Sequence, residues 1–245
     1  MFDAFVDQFP RFMTWDNWNF LFWAAVTTME MTVIGIGLGF VFGFLLVYLR
    51  LTPGWLFWPV RVVMISYTEF FRRVPFLVLL FLVLFISKGL GFDFSLFAVA
   101  CLSIVILSTA FLGEIVRAGL ESVHHNQWDA ASVMNFSRLQ TFRYVIVPQA
   151  WRVILPPAFA FFVMFVKDTS LTSQAGVLEL TQAGKYFNNN GYSAIFSYGT
   201  ILVIYFALSY PLTRLGWWME ARLRRSRLGE ARDRPVETML VGRGA

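Results

Sequence analysis

Five long apolar segments constrain what this chain of 245 residues can fold into more than any other feature. Hydrophobic residues make up 58% of the sequence and charged residues only 14%, whereas soluble domains carry roughly 25% charged residues. An α-helix needs about 20 apolar residues to cross the hydrocarbon core of a bilayer. The sequence therefore predicts an all-α integral membrane protein with five transmembrane helices, at residues 20–48, 60–86, 96–117, 153–170 and 194–214.

The second and fourth predicted spans are irregular. A charged run from Glu69 to Arg73 interrupts the second span, and in the fourth the uncharged residues stop at Val166, before Lys167 and Asp168. Each of these two spans is predicted to be either extended by polar residues or broken. Short or interrupted hydrophobic segments occur where transporters bind substrate near the middle of the membrane, so both spans are candidates for a transport pathway.

Basic residues are distributed unequally between the segments that join the spans. With the N-terminus outside, the outer segments hold three, Arg11, Lys88 and Lys185, and the inner segments hold thirteen. Because lysine and arginine concentrate on the cytoplasmic side, the pattern predicts an external N-terminal segment (1–19), a transmembrane domain (20–228) and a cytoplasmic C-terminus. Residues after 228 lack a continuous apolar face, so 229–245 is predicted to be a disordered cytoplasmic tail. The net charge of +5 reflects the cytoplasmic face and requires no nucleic acid partner.

Glycine spacing in the first predicted span favours close helix packing. Gly35, Gly39 and Gly43 form two successive G-x-x-x-G pairs, a spacing that lets another helix approach closely. The contact lies either within the subunit or between subunits, and the pattern favours the first. Glu30, in the same span, faces either a subunit interface or the pathway.

A polar loop, residues 118–152, joins the third and fourth spans and falls in the cytoplasm in this topology. Its core, 127–136, is predicted to be a short helix, with Asp129 in the first turn where a carboxylate suits the helix dipole. Asn135 is the predicted C-terminal stop because asparagine tolerates the left-handed conformation. A second short helix is predicted at 138–147.

The loop helix has two explanations on pattern alone. Ala130 and Ala131 offer a flat surface that a partner's backbone can approach, which favours docking of another protein. The alternative is a helix pair that lies on the lipid headgroups.

The loop resembles the cytoplasmic signature of permease subunits in binding-protein-dependent ABC importers, which reads Glu-Ala-Ala, three residues, Gly, nine residues, Ile-x-Leu-Pro. Here it stands as Asp129-Ala130-Ala131, Asn135 and Val145-Ile146-Val147-Pro148, with the spacing intact and four conservative departures. Further runs are similar to the polar amino-acid branch of that family, and the likeness extends over about 27–225. These runs are YTEFFRRVP at 67–75, EIVRAG at 114–119, QW at 127–128, VPQA at 147–150 and KDTSL at 167–171.

The resemblance implies a multi-pass protein of the bacterial inner membrane that is not itself an enzyme. It implies a second permease subunit, identical or paralogous, and ATP-binding cassette subunits that bind ATP and Mg²⁺, so that this chain holds no cofactor. It also implies a periplasmic or lipid-tethered binding protein that delivers a polar amino acid. The residues that would couple the chain to the ATPase are Gln127, Asp129, Ala130, Ala131, Asn135, Val145, Val147 and Pro148.

Polar side chains within the spans are the candidates for the substrate pathway. An ionisable side chain at membrane depth costs about 2.5–3.5 kcal/mol on insertion scales and usually faces a cavity or a partner. An amino-acid zwitterion needs a cationic group for its carboxylate and an anionic group for its ammonium. The candidates are Glu69, Arg72, Glu114, Arg117, Lys167, Asp168, Thr169 and Ser170.

Each of these candidates also has a structural explanation. Glu114 and Arg117 are spaced i,i+3, and Glu69 and Arg73 are spaced i,i+4, so both sets fit ion pairs on one helix. Lys167 with Asp168 would cap a broken helix.

Two other function classes remain open. One is a permease of the same superfamily for another small solute, and the other is a membrane enzyme or anchor. The sequence has no phosphate-binding Gly-x-x-x-x-Gly-Lys-Ser/Thr motif and no Ser/His/Asp set. Cys101 is the single cysteine, and the adjacent His124 and His125 lack the spacing of metal ligands, so no metal site is predicted.

Overall fold

The computed structural model describes residues 8–51 and 54–232, leaving out the side chains of Leu56 and of 224–232. Within these ranges the regular elements are helices, and a short helical turn at 8–12 precedes the first long one. The helices are α1 (Trp15–Leu51), α2 (Trp58–Phe71), α3 (Phe76–Gly89), α4 (Leu96–Glu121), α5 (Asn126–Val133), α6 (Arg138–Thr141), α7 (Val147–Asp168), α8 (Leu180–Asn189) and α9 (Ala194–Arg232).

The predicted all-α membrane class is confirmed. Four of the described helical stretches are long and apolar enough to cross a membrane: α1, α4, α9 and the stretch Arg138–Ala175 around α7. The pair α2–α3 makes a fifth if the two are counted as one span.

The second predicted span, 60–86, is broken rather than continuous. α2 and α3 are bent by 115° at the residues between Phe71 and Phe76. Pro75, with φ −62° and ψ 137°, caps α3 in an extended conformation. A proline has no amide hydrogen for a helix interior and disfavours the α conformation at the preceding residue, so the helix ends before it and restarts after it.

The fourth predicted span, 153–170, is extended at both ends. Residues 138–147 are helical as predicted, but they do not form a separate helix, because α6 passes through a π-helical turn, Phe142–Ile146, directly into α7. Such a turn inserts an extra residue, and it lies just before Pro148, which cannot donate a helical hydrogen bond. At the other end α7 continues as a 3₁₀ helix, Thr169–Ala175, so the polar residues after Val166 do not interrupt the helical path.

The ends of the chain also differ from the predicted boundaries. α1 begins at Trp15, inside the predicted segment 1–19, and Phe12 is buried against the rings of Phe187 and Phe196. α9 continues to Arg232, so residues 229–232 of the predicted tail are helical. Residues 233–245 of that tail lie outside the described part of the chain.

α1 and α4 form the centre of the fold. A Cβ added at Gly39 would lie 1.8 Å from Ser108 Oγ, and one at Gly43 would lie 2.8 Å from the backbone nitrogen of Gly113. Ser108 Oγ also donates a hydrogen bond of 2.9 Å to the carbonyl of Gly35. The G-x-x-x-G pairs therefore pack within the subunit, as predicted.

Candidate functional site

α5 is a two-turn helix in the loop between α4 and α7, and its end is built by local hydrogen bonds. Asn135 has φ 57°, the left-handed conformation predicted for it. The amide of Phe136 donates to the carbonyl of Ala131 (3.0 Å) and the amide of Asn135 donates to Ser132 (3.0 Å). This pair of bonds is a Schellman motif, which satisfies the last carbonyls of a helix.

The surface of α5 differs from the predicted one. Ala130 is exposed, but Ala131 is only 3% exposed and faces the protein. Side chains two or three residues farther along lie on the outer side: Val133 is 83% exposed and Met134 is 67% exposed. Because the helix axis is fixed by packing on the π-helical turn, the outer surface is formed by Asp129, Ala130, Val133 and Met134, which we call the α5 ridge.

Of the remaining predicted coupling residues, Gln127 lies in the first turn of α5, and the other three lie around the start of α7. Gln127 is half-buried, and its Oε1 accepts a hydrogen bond of 3.1 Å from Nε2 of Gln149. Val145, in the π-helical turn, and Val147, the first residue of α7, are half-buried, and Pro148 is exposed. The bond between Gln149 and Gln127 ties α5 to α7, and the exposed surface that a partner can reach includes the α5 ridge and Pro148.

Three of the pathway candidates come together between α2 and α4. Arg117 and Glu114 form a two-point ion pair, with Nη2 to Oε1 at 2.5 Å and Nε to Oε2 at 3.0 Å. Arg117 also pairs with Glu121. Arg72 lies across from this pair, with Nη1 3.9 Å from Glu114 Oε1 and its guanidinium 5.9 Å from the centre of the Phe111 ring. The i,i+3 pair is therefore present, and Arg72 joins it from the C-terminal end of α2.

Glu69 lies apart from this group. It forms an ion pair with Arg73, four residues later, and the side chains of Glu69 and Arg73 are 50% and 71% exposed. The structural explanation offered for Glu69, an i,i+4 ion pair with Arg73, therefore describes its surroundings.

The candidates at the end of α7 form a second group. Thr169 is fully buried and its hydroxyl donates to the carbonyl of Val166 (2.8 Å), while Lys167 is exposed and Asp168 and Ser170 are half-buried. These residues are at the end of α7 remote from the loop, whereas Glu114 is in the loop-side part of α4. The eight predicted pathway residues therefore do not form one site.

Sequence reasoning missed Glu179, a carboxylate that is 0% exposed. It precedes α8, and its Oε1 accepts a hydrogen bond of 2.9 Å from the amide of Gln182, while its Oε2 accepts one of 2.7 Å from the hydroxyl of Tyr205. Burial raises the pKa of the Glu179 carboxyl, and hydrogen bonds from Thr181, Tyr205 and Gln182 oppose that shift. A carboxylate just before an amphipathic segment is a helix-start signal that pointed to this position.

Comparison with known proteins identifies the family. Residues 35–225 match the family described as the inner membrane component of binding-protein-dependent transport systems. The glutamine transport system permease protein GlnP of Escherichia coli (strain K12) is 30% identical over 219 residues, covering 89% of this chain and 99% of that protein. The probable amino-acid ABC transporter permease protein YckA of Bacillus subtilis (strain 168) is 31% identical over 182 residues, covering 74% and 79%.

Solved structures agree with the sequence match. The structure of an amino acid ABC transporter with histidines superposes with a TM-score of 0.76 at 26% identity, covering 83% of this chain and 94% of that chain. An inward-facing structure of the MetNI methionine ABC transporter, at 22% identity and a TM-score of 0.73 over 86% and 99% of the two chains, supports the fold alone. Because the family model matches residues 35–225 and GlnP is 30% identical over 89% of this chain, the chain belongs to the family of inner membrane components of binding-protein-dependent transport systems.

Proposed function

We propose that this chain is the permease subunit of an ATP-driven importer of polar amino acids, and that it forms the translocation pathway together with a second permease subunit. Relatives named as glutamine and amino-acid permeases match most of its length. The runs around Arg72 and Asp168, which are similar to the polar amino-acid branch, favour the same substrate class.

In this proposal the loop that carries α5 lies in the cytoplasm and the N-terminus lies outside, in a bacterial inner membrane. The excess of thirteen basic residues over three supports that orientation. ATP and Mg²⁺ bind to separate ATP-binding cassette subunits, while a periplasmic or lipid-tethered binding protein delivers the substrate to the opposite face. The chain itself uses no cofactor.

The α5 ridge is the observation that carries the coupling role. Val133 and Met134 are large apolar side chains held in water on a helix whose end is set by Asn135. Exposed apolar side chains of this kind mark protein or membrane interaction sites, and the resemblance of 129–148 to the loop signature of permease subunits favours a protein partner over the lipid headgroups. A rigid helix also transmits the movement of a bound ATPase to α4 and α7, between which it lies.

The charges around Glu114 favour recognition of a carboxylate. Both Glu114 oxygens are engaged by Arg117, which leaves Glu114 poorly placed to receive an ammonium group. Arg72 has only the long 3.9 Å contact to this pair. Its guanidinium offers a planar set of donors that matches a carboxylate. The half-buried Asp168 is the candidate for the ammonium group, at another level of the pathway.

The test is to co-express the chain with the ATPase, permease and binding protein encoded beside it and to measure ATPase stimulation by the loaded binding protein. Stimulation confined to polar amino acids is the expected result. Stimulation by another solute alone would support the permease of the same superfamily for a different substrate, and failure to assemble would favour a membrane anchor or enzyme.

The coupling role is tested at the α5 ridge. Met134→Asp is expected to lower ATPase association by about tenfold, because a charge would be buried in the contact, while the chain still inserts into the membrane. Met134→Leu is the matched control and should leave association within about twofold. Normal association of Met134→Asp would contradict the docking role.

A further inference from the structure

Glu179 lies at the end of the bundle opposite to α5. α7 runs away from the loop, Glu179 and α8 follow its 3₁₀ extension, and α9 runs back. α8 packs there against the first part of α1, where the rings of Phe20 and Tyr186 lie 5.1 Å apart. In the proposed orientation this end faces the binding protein.

The two oxygens of Glu179 serve different elements. Oε1 accepts from the amide of Gln182 and caps α8, as short polar side chains also do at helix starts. Oε2 accepts from the hydroxyl of Tyr205, which belongs to α9. A cap alone requires one oxygen, so the second bond is a tie between two helices.

A third helix joins at the same point. The amide of Leu180 donates to Thr28 Oγ1 of α1 at 3.4 Å, and Thr28 is fully buried. The Tyr205 hydroxyl is also 3.2 Å from Thr181 Oγ1. α1, α8 and α9 therefore meet in one hydrogen-bonded group, which we call the Glu179 knot: Glu179, Leu180, Thr181, Thr28 and Tyr205.

The apolar surroundings of the knot make burial of the Glu179 carboxylate unfavourable unless its oxygens are hydrogen-bonded. Leu21, Ala24, Leu180 and Ala183 are buried in the same apolar cluster. A carboxylate removed from water into such surroundings loses solvation that only hydrogen bonds restore. Residues with smaller desolvation costs would cap α8 equally well, which leaves the tie to α9 as what the carboxylate adds.

We propose that Glu179 is a positioning residue that ties α8 to α9, next to the bond between Leu180 and Thr28 that joins α8 to α1, and so holds the polar face of α8 at the entrance where the binding protein releases its substrate. Lys185 on that face is itself held, because its Nζ donates to the carbonyl of Ser173 at 3.2 Å. The placement at the entrance rests on the proposed function, whereas the tie between the helices does not.

Spin-label mobility on α8 tests the tie without reference to transport. The label is placed at Asn189→Cys, an exposed position at the end of α8, in a Cys101→Ser chain purified in lipid nanodiscs. Glu179→Ala and Tyr205→Phe are each expected to increase the mobility of the label by about twofold or more on the nanosecond timescale. Glu220→Ala, which removes an exposed carboxylate from α9, is the control and should leave mobility unchanged.

Glu179→Gln separates positioning from charge. The amide retains an acceptor for Gln182 and can donate to the Tyr205 hydroxyl, which then donates to Thr181. This variant is expected to keep the label immobile and to keep stimulation by the binding protein, which Glu179→Ala should lose while basal ATPase activity persists. Unchanged mobility in Glu179→Ala and Tyr205→Phe would overturn the tie.

The pH dependence of stability reports whether the Glu179 carboxyl is buried as the structure shows. The titratable or charged groups that act on the carboxyl are Lys185 of α8 and Tyr205 of α9, and α1 contributes Thr28, whose hydroxyl does not titrate. Since the folded pKa of Glu179 is raised, its contribution to stability is present below the ordinary pKa of about 4.3 and is lost as pH rises through the raised value. Glu179→Gln should remove this part of the pH profile of the thermal midpoint, and an unchanged profile would count against a buried, titrating carboxyl at this position.

The two proposals fail in different ways. If the mobility pattern is as expected but no amino acid stimulates ATPase activity in the wild-type complex, the tie stands and the substrate assignment fails. If stimulation is normal in Glu179→Ala although α8 is mobile, the entrance role is wrong while the proposed function stands.

Discussion

Arg72 and Arg73 are neighbours in sequence with different surroundings. Arg72 reaches Glu114 on α4 and lies over the Phe111 ring, whereas Arg73 forms an exposed ion pair with Glu69, four residues earlier. Arg72→Lys removes the planar set of donors and is expected to lower stimulated uptake about tenfold. Arg73→Lys is the matched control and should change uptake by less than about twofold, because exposed ion pairs contribute little. The two variants are compared by uptake assays at equal abundance of the protein in the membrane. Equal effects of the two changes would contradict a role of Arg72 in the pathway.

At the scale of single helices, the end of α5 depends on one residue in the left-handed conformation. Asn135→Val places a β-branched side chain at φ 57° and is expected to cost about 1–2 kcal/mol. Asn135→Gly has no such penalty and should be at least as stable as the native chain. Hydrogen exchange of the amides in 126–136 measures the difference. Equal protection in the two variants would mean that packing, not the Schellman motif, holds the end of α5.

The contact between α1 and α4 provides a second prediction at this scale. The methyl group of Gly43→Ala would push the backbone atoms of Gly113 and Thr109 on α4 away from α1. This change is expected to lower the free energy of unfolding by about 1–3 kcal/mol. Gly37→Ala meets no atom within 4 Å and should be neutral or slightly stabilising, since alanine favours helix more than glycine does. Unfolding in mixed detergent compares the two. A destabilising Gly37→Ala with a neutral Gly43→Ala would contradict the packing of α1 on α4.

At the scale of the whole molecule, the orientation in the membrane is testable with cysteine labelling. In a Cys101→Ser chain expressed without its ATPase, Lys88→Cys should react with an impermeant maleimide in cells whose outer membrane has been opened. His124→Cys should react only after the inner membrane is permeabilised as well, because the positive-inside rule places the loop in the cytoplasm. Both positions are exposed, so burial does not mask the result. The opposite pattern would invert the proposed topology and with it the side on which the ATPase docks.

The properties that the sequence alone determined belong to one segment at a time. The apolar runs determined the all-α membrane class, the spacing of Glu114 and Arg117 determined their ion pair, and the loop pattern determined the stop at Asn135. Each depends on atoms within a few residues or on the number of apolar residues in a row, so the periodicity of one helix is sufficient.

Only the tertiary structure decided how the helices are rotated and bent against one another. The 115° bend between α2 and α3 carries Arg72 to Glu114, and packing on the π-helical turn directs Ala131 inward and leaves Val133 outside. The burial of Glu179 depends on α1 and α9, which are distant in sequence from α8. The rotation of a helix about its axis is set by the side chains of its neighbours, and no local pattern contains that information.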